Sequence, residues 1–366
     1  MKRHVLALNG GSSSLKYALF ETDAGGERPL ARASVAIGGA VSDHAAAVRA
    51  AFDDIARAGL PSPDATGHRI VHGGPELLRP VRVDGAVLAA LRAAVPFAPL
   101  HLPAEIRAIE AARERFPDLV HVACFDTSFH RTMPDVAKRF ALPRSLFDEG
   151  VRRYGFHGLS YEYVVAHLGG AELGRAVIAH LGSGASLCAV RDGRSVDTTM
   201  GLTPTGGVVM ATRSGDLDPG LVVYLLEHGY DAASLERLVT REAGLLALSG
   251  TTGDMKRLVE ERDRDPRAAF AVEAFAWHAR KAIGALAASL GGIDTLVFTG
   301  GIGERAPIVR LAIARGLEHL GVRVDASAND ANAEVVSEDG SPCVVRVVAT
   351  DEERMVARHT SALLAG

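Results

Sequence analysis

Two short stretches, LNGGSSSLKYAL (8–19) and HLGSGASLCAV (180–190), govern the reading of this chain. They align on Gly10/Gly182, Ser14/Ser186 and Leu15/Leu187, an offset of 172 in 366 residues. Each passes from an apolar run through a Gly/Ser turn into a second apolar run, the pattern of a strand hairpin. An offset close to half the chain points to two copies of one domain design, each opening with such a hairpin.

Working outward, helices and strands alternate. Ser42 to Gly59 reads as a helix with Ser42 as cap, Val48, Phe52 and Ile55 on one face and Gly59 at its end. HRIVHGG (68–74) reads as a strand ending in glycines, Pro103 to Phe116 as a helix, and VHVACFD (120–126) as a strand ending at Asp126. The run 177–199 repeats the opening pattern. The clearest helix starts after Asp265 with Pro266 in its first turn, and Val272, Phe275, Ala279, Ile283, Leu286 and Leu290 line one face. DTLVFTGGIGE (294–304) gives a strand and a Gly-rich turn, followed by a helix near 306–320. CVVRVVAT is a last strand, and a last helix opens at DEERMVARHT, where Thr350 and Glu353 fit a capping box that leaves Glu352 free for a metal. Asp216 and Asp218 are expected to cap a helix near Pro219.

Composition narrows the class. Abundant glycine and sparse aromatics suit an α/β enzyme with many tight loops. The net charge of −4 is spread without a basic block, which argues against nucleic acid or an anionic membrane as partner. Cys124, Cys188 and Cys343 sit in apolar runs without C-x-x-C spacing, as expected of small hydrophobes in a reducing cytoplasm. The N-terminal apolar run is too short for a signal peptide, and no run reaches membrane-span length.

Three glycine loops, NGGSSS, HLGSGAS and TGGIGE, each follow an apolar strand. Glycines allow backbone N–H groups to close on an anion, and Ser12, Ser14 and Ser186 add hydroxyls. One such loop is also compatible with an ordinary turn; three in one α/β chain, with Lys16 nearby, point to phosphate. None is a P-loop or a dinucleotide fingerprint. Arg69 at a strand end, beside Val71, suits a carboxylate with a short alkyl tail, and a surface ion pair is its alternative. Asp126 ends a strand, where α/β proteins collect ligand groups, or else caps a helix. In VVMATRSGDLDPG (208–220), Arg213 follows an apolar run with no evident local partner.

The chain resembles the acetate kinases. NGGSSSLKY, HRIVHGG, APLHLP, FDTSFHRTMP, RRYGFHG, HLGSGAS, SVDTTMGLTPTGG, TRSGDLDP, SGTTGDM, FTGGIGE and TDEERMVAR follow the family's order over almost the whole sequence, and RRYGFHG and TRSGDLDP are highly specific. The resemblance implies an α/β fold of two similar actin-like ATPase domains with the active site in the cleft between them. The bounds expected are 1–128 plus 353–366 for the first domain and 129–352 for the second. It implies reversible transfer of the γ-phosphoryl of ATP to acetate, giving acetyl phosphate and ADP. Mg²⁺, or alternatively Mn²⁺, is the implied metal, and a cytoplasmic homodimer the implied state.

Residue by residue, the resemblance implies that Arg69 and Arg213 are the active-site arginines, His157 the histidine on the transferring phosphoryl and Asp126 the catalytic aspartate. It ties Asn9 and Glu352 to metal and phosphate. Ser12, Ser14 and Lys16 fall in one phosphate loop, with His101 and His180 as further site histidines, His101 on the acceptor side. Val71, Leu100, Phe156 and Pro204 match the methyl pocket. Gly182, Ser183, Gly184, Asp254, Gly300, Gly301, Ile302, Gly303 and Glu304 match the nucleotide side. The chain departs from the family at several positions: Leu102 and Ser183 replace its usual Asn, Pro75 its Glu, Leu159 its Thr, Tyr161 its His and Arg305 its Asn. A carboxylate is already ionised at pH 7 and needs no general base. The chemistry therefore asks for positioned positive charge around the phosphoryl in flight. The alternatives are a propionate or other short-chain carboxylate kinase, a hydroxyl-directed kinase using Asp126 as base, and a regulatory homologue without catalysis.

Overall fold

The computed structural model describes residues 2–11, 14–38 and 41–365. The chain forms two compact units: 1–131 with 156–163 and 351–366, and 132–155 with 164–350. The segment 156–163 lies with the first unit, on the other side of the expected boundary. Gly158 N–H donates to the Asp126 carbonyl at 2.9 Å, and the Phe129 and His130 rings lie against Tyr161, so this stretch is bound to the end of the first unit's sheet.

In the first unit, β1 (Arg3–Gly10), β2 (Ser14–Asp23) and β3 (Gly26–Ala36) form an antiparallel meander. β4 (Ala65–Ile70) and β6 (Val120–Phe125) add parallel to β1, and β5 (Val81–Arg82) closes the edge, giving the order β3-β2-β1-β4-β6-β5. In the second unit, β7 (Arg175–Leu181), β8 (Ala185–Arg191) and β9 (Arg194–Thr198) repeat the meander. β10 (Thr295–Thr299) and β11 (Val344–Val347) then add parallel to β7, giving β11-β10-β7-β8-β9. Apart from β5, the two sheets have the same strand order and directions. This is the duplicated α/β plan announced by the two hairpins.

Strand alternation sorts the first sheet's side chains into two cores. Leu6 and Leu8 of β1, with Leu15, Tyr17 and Leu19 of β2, pack on α1 (His44–Arg57) and α3 (Leu102–Arg115), which follows α2 (Gly85–Ala93). Val5 and Ala7, with Ala18, Phe20, Val122 and Cys124, face the C-terminal helix Glu352–Ala365 through Met355, Val356 and Ala357. Gly67 of β4 lies under that helix. A Cβ there would stand 2.4 Å from Thr360 Oγ1 and 2.5 Å from Val356 Cγ1, so only glycine lets the helix rest on the sheet. In the second unit the long helix Pro266–Leu290 buries the expected stripe, capped by Asp265 through Arg267 N–H at 2.9 Å. Among the described residues, no helix is long and apolar enough to cross a membrane.

Several local expectations shift by a residue or two. Asp43, not Ser42, caps α1, accepting from Ala46 N–H at 2.8 Å. Asp218 caps Pro219–Glu227 as expected, whereas Asp216 accepts from Gly207 N–H at 2.7 Å and braces a loop instead. TGGIGE is not a turn beyond β10: Gly300–Arg305 is a short helix that starts directly at the strand end.

Candidate active site

The alternation that builds the first unit's core also builds its polar site. Asn9 continues the Val5–Ala7 face of β1, Arg69 continues the Gly67 face of β4, and Asp126 follows Cys124 on the same face of β6. All three lie at the C-terminal ends of parallel strands, where open α/β sheets bind ligands. The face that carries them also carries the N-terminus of the C-terminal helix, so they meet its acidic first turn.

Arg69 is the hub. Its Nε and Nη2 donate to the two Asp126 oxygens at 3.0 and 2.6 Å, and its Nη1 donates to Asn9 Oδ1 at 2.9 Å. Glu352 Oε2 stands 3.4 Å from Arg69 Nε. The Asn9 amide donates in turn to Glu352 at 3.2 Å and Glu353 at 2.9 Å, strapping both carboxylates to the guanidinium. Burial would pull the Arg69 guanidinium down, but Asp126 and Glu352 more than reverse this and hold it well above its ordinary value, fully charged. Burial pushes the Asp126 carboxyl up, opposed by Arg69 and by a hydrogen bond from His157 N–H.

This geometry corrects the reading of the last helix. Asp351, not Thr350, caps it, accepting from Arg354 N–H at 3.0 Å. Glu353 is therefore no capping-box partner, and Glu352 is not free: both are held by Asn9. Acidic residues favour a helix N-terminus, so the polar cluster and the helix support each other.

His157 adopts φ 57°, a left-handed conformation uncommon for a residue other than glycine, at the start of helix Gly158–Leu168. That turn aims its N–H at Asp126. Phe156 is buried with its ring edge on His72, centroids 5.5 Å apart, and its carbonyl accepts from His130 Nε2 at 3.0 Å. Val71 is buried just past β4, its N–H donating to Glu105 at 3.1 Å. His101 is the N-cap residue of α3, and Leu100 before it is 38% exposed. Ser14 and Lys16 lie on β2 rather than in the loop. Lys16 stands opposite Asn9, so its side chain shares the Asn9 face. Ser12 lies outside the described residues.

In the second unit the corresponding strand ends carry His180, the 182–184 tip and the 300–304 helix. His180 pairs with Ser186 across the β7–β8 hairpin and with Thr299 of β10. Gly182, Ser183 and Gly184 form the hairpin tip, and the Ser183 carbonyl accepts from Ala211 N–H at 3.1 Å. That bond ties the tip to the segment carrying Arg213, whose Nη1 donates to the Pro204 carbonyl at 2.9 Å. Gly300 (φ 75°) sits so close to Leu181 that a Cβ would come within 2.8 Å of its carbonyl oxygen. Gly301, Ile302 and Gly303 continue this short helix. The Glu304 carboxylate is turned inward, accepting from Gly300 and Thr350 N–H groups at 3.1 Å each. Asp254 caps helix Met255–Glu261 through Lys256 N–H at 3.0 Å.

Two buried residues escaped the sequence reading, and a third participant, Glu353, was read there only as a capping-box residue. Glu105 falls at helical spacing with Leu102, Ile106 and Ile109, an acid on an apolar stripe, which is the signal that could have marked it. Arg310 is fully buried and donates to the Gly303 carbonyl at 2.8 Å and to Asn329 and Asn332, bracing the glycine helix from beneath. Burial pulls its guanidinium down to about 10.

An acetokinase family model matches residues 31–358. The acetate kinase of Methylocella silvestris is 45% identical, the match covering 100% of this chain and 98% of that one. The acetate kinase of Rhizobium meliloti is also 45% identical, covering 98% of each. Among solved structures, Porphyromonas gingivalis acetate kinase superposes with a TM-score of 0.88 at 34% identity, over 99% of this chain and 100% of the other. A propionate kinase from Francisella tularensis gives 0.89 at 32%, over 98% and 99%.

Proposed function

The chain belongs to the acetokinase family, and from that premise we propose that it transfers the γ-phosphoryl of ATP reversibly to acetate, forming acetyl phosphate and ADP. The observation that carries the reading within the site is the buried Arg69 fork. It is locked by Asp126 and Asn9 at the strand ends and stays charged. One acetate oxygen attacks the γ-phosphorus, the bond to the β–γ bridging oxygen breaks, and ADP leaves with that electron pair. No proton has to be removed from the acceptor.

Arg69, Arg213 and the His157 imidazole are the groups proposed to carry the charge of the phosphoryl in flight. With both carboxylate oxygens engaged by Arg69, Asp126 serves to orient that arginine. Val71, Leu100 and Phe156, with Pro204, are proposed to bound the methyl group. Ser12, Ser14, Lys16, His180, the 182–184 tip, Asp254 and the 300–304 helix are proposed to serve the nucleotide, with Glu304 acting through the backbone it clasps. His101 is kept as an acceptor-side group.

The donor set fits Mg²⁺. It is all oxygen, as a hard cation prefers, and among the described residues no cluster of three or more His, Cys, Asp or Glu is disposed to hold a metal. That suits an ion held by one or two carboxylates together with substrate phosphates and water. Glu352 would hold it, with Asn9 orienting Glu352. When bound, the ion neutralises charge on the β- and γ-phosphates.

A homodimer is proposed from helix Pro219–Glu227, which exposes Leu221, Val223, Tyr224 and Leu226. Propionate is the second reading, supported by the similarity to the Francisella enzyme. One methylene is worth only about 1–3 kcal/mol in an apolar pocket, so both acids should react, acetate the faster. Hydroxylamine trapping over short carboxylates and several phosphoryl donors tests this. Acetohydroxamate formed with ATP is expected, and the absence of hydroxamate from every acid overturns the reading.

A further inference from the structure

Glu105 sits in the first turn of α3, 3% exposed, with one oxygen accepting the Val71 N–H at 3.1 Å. Val71 is the second residue after Arg69, so that bond pins the strip of chain running from the guanidinium to the apolar wall. Leu102, at the start of the same helix, is fully buried with Ile106 and Ile109 nearby, so Glu105 is a carboxyl set on an apolar stripe.

We propose that Glu105 is a positioning residue for the carboxylate substrate: by holding the Val71 N–H it fixes the 69–72 segment, and its charge state sets how strongly that segment attracts an anion. This rests on the proposed acetate site at Arg69 and Val71. The charged groups acting on Glu105 are Arg69 from β4 and Asp126 from the end of β6; no group on α1 or α2, which also pack on α3, shifts it among the described residues. Burial pushes its carboxyl up to about 8. At pH 7 the carboxyl is thus mostly neutral. As pH rises through 8 it gains a negative charge beside Arg69, and acetate affinity falls.

The test is steady-state kinetics of the intact enzyme with acetate and ATP, from pH 6 to 9.5. Wild-type kcat/KM for acetate should fall through an inflection near pH 8. Glu105→Ala should raise KM for acetate by about tenfold, the scale of one lost buried hydrogen bond, with KM for ATP changed by less than about twofold. Glu105→Gln keeps an oxygen for the Val71 N–H but cannot ionise. It should bring KM for acetate back to within about threefold of wild type and abolish the inflection. An Ala variant with wild-type KM for acetate, a Gln variant that fails to restore it, or an inflection that persists in Gln overturns the proposal. Should the Ala variant not fold, the Gln pH profile decides alone. Acetohydroxamate from the wild type establishes the acetate reading separately, so failure of one is distinguishable from failure of the other.

Discussion

Arg69 engages Asp126 through Nε and Nη2 and Asn9 through Nη1, so each of its three guanidinium nitrogens has a side-chain partner. Lysine could supply the charge but not the fork. Arg69→Lys should therefore fold and lose at least about 10²-fold in kcat, the scale of one misplaced charge donor. Arg69→Ala leaves Asp126 buried without its ion-pair partner and should in addition cost about 3–5 kcal/mol of stability. Arg213 donates to the neutral Pro204 carbonyl, a bond worth about 0.5–1.5 kcal/mol to stability. Arg213→Ala should fold while turnover falls by about 10²-fold or more. Turnover and denaturation measured side by side separate the two arginines. Wild-type kcat in Arg69→Lys would remove the fork from the mechanism, and wild-type kcat in Arg213→Ala would remove that residue.

The element that most depends on one small residue is the C-terminal helix. It brings Glu352 and Glu353 to Asn9, and it reaches that place by lying directly on Gly67. Gly67→Ala would force its Cβ into Val356 and Thr360 and should destabilise the protein by about 1–3 kcal/mol, the usual cost of overpacking. If the Val356 contact is the cause, Gly67→Ala combined with Val356→Ala should cost less than the sum of the single changes. Strictly additive costs in urea denaturation would place the strain elsewhere. The same region shows what sequence could and could not reveal. Period-two alternation in VLALNG already aligns Asn9 with Val5 and Ala7. The partner of that face is another matter, because the helix that covers it lies some 340 residues away in sequence. From local spacing alone Thr350 and Glu353 fit a capping box. Asp351 takes the cap instead, aided by its contact with Arg32 on β3 at 3.1 Å, a tertiary pairing that no short motif encodes.

Across the whole molecule, duplication made the fold legible. Two hairpins with matching tips implied two matching sheets, and both sheets run in one order from the meander outward. Duplication says nothing about surfaces, which the two copies do not share. Helix Pro219–Glu227 has no counterpart in the first sheet's framework and is apolar almost all round in sequence, a pattern that belongs to buried helices. Yet Leu221, Val223, Tyr224 and Leu226 are 40–55% exposed, and Tyr230 just beyond is 37% exposed. Four large apolar side chains on nine residues form a patch that a second copy of the chain would cover, as the proposed homodimer requires. Val223→Asp with Leu226→Asp places two charges on that patch without touching the core. The double variant should sediment as a monomer where the wild type sediments as a dimer, and each monomer should keep its circular dichroism. A wild type that stays monomeric at high micromolar concentration, or a double variant that stays dimeric, would show that this helix is not where two copies meet.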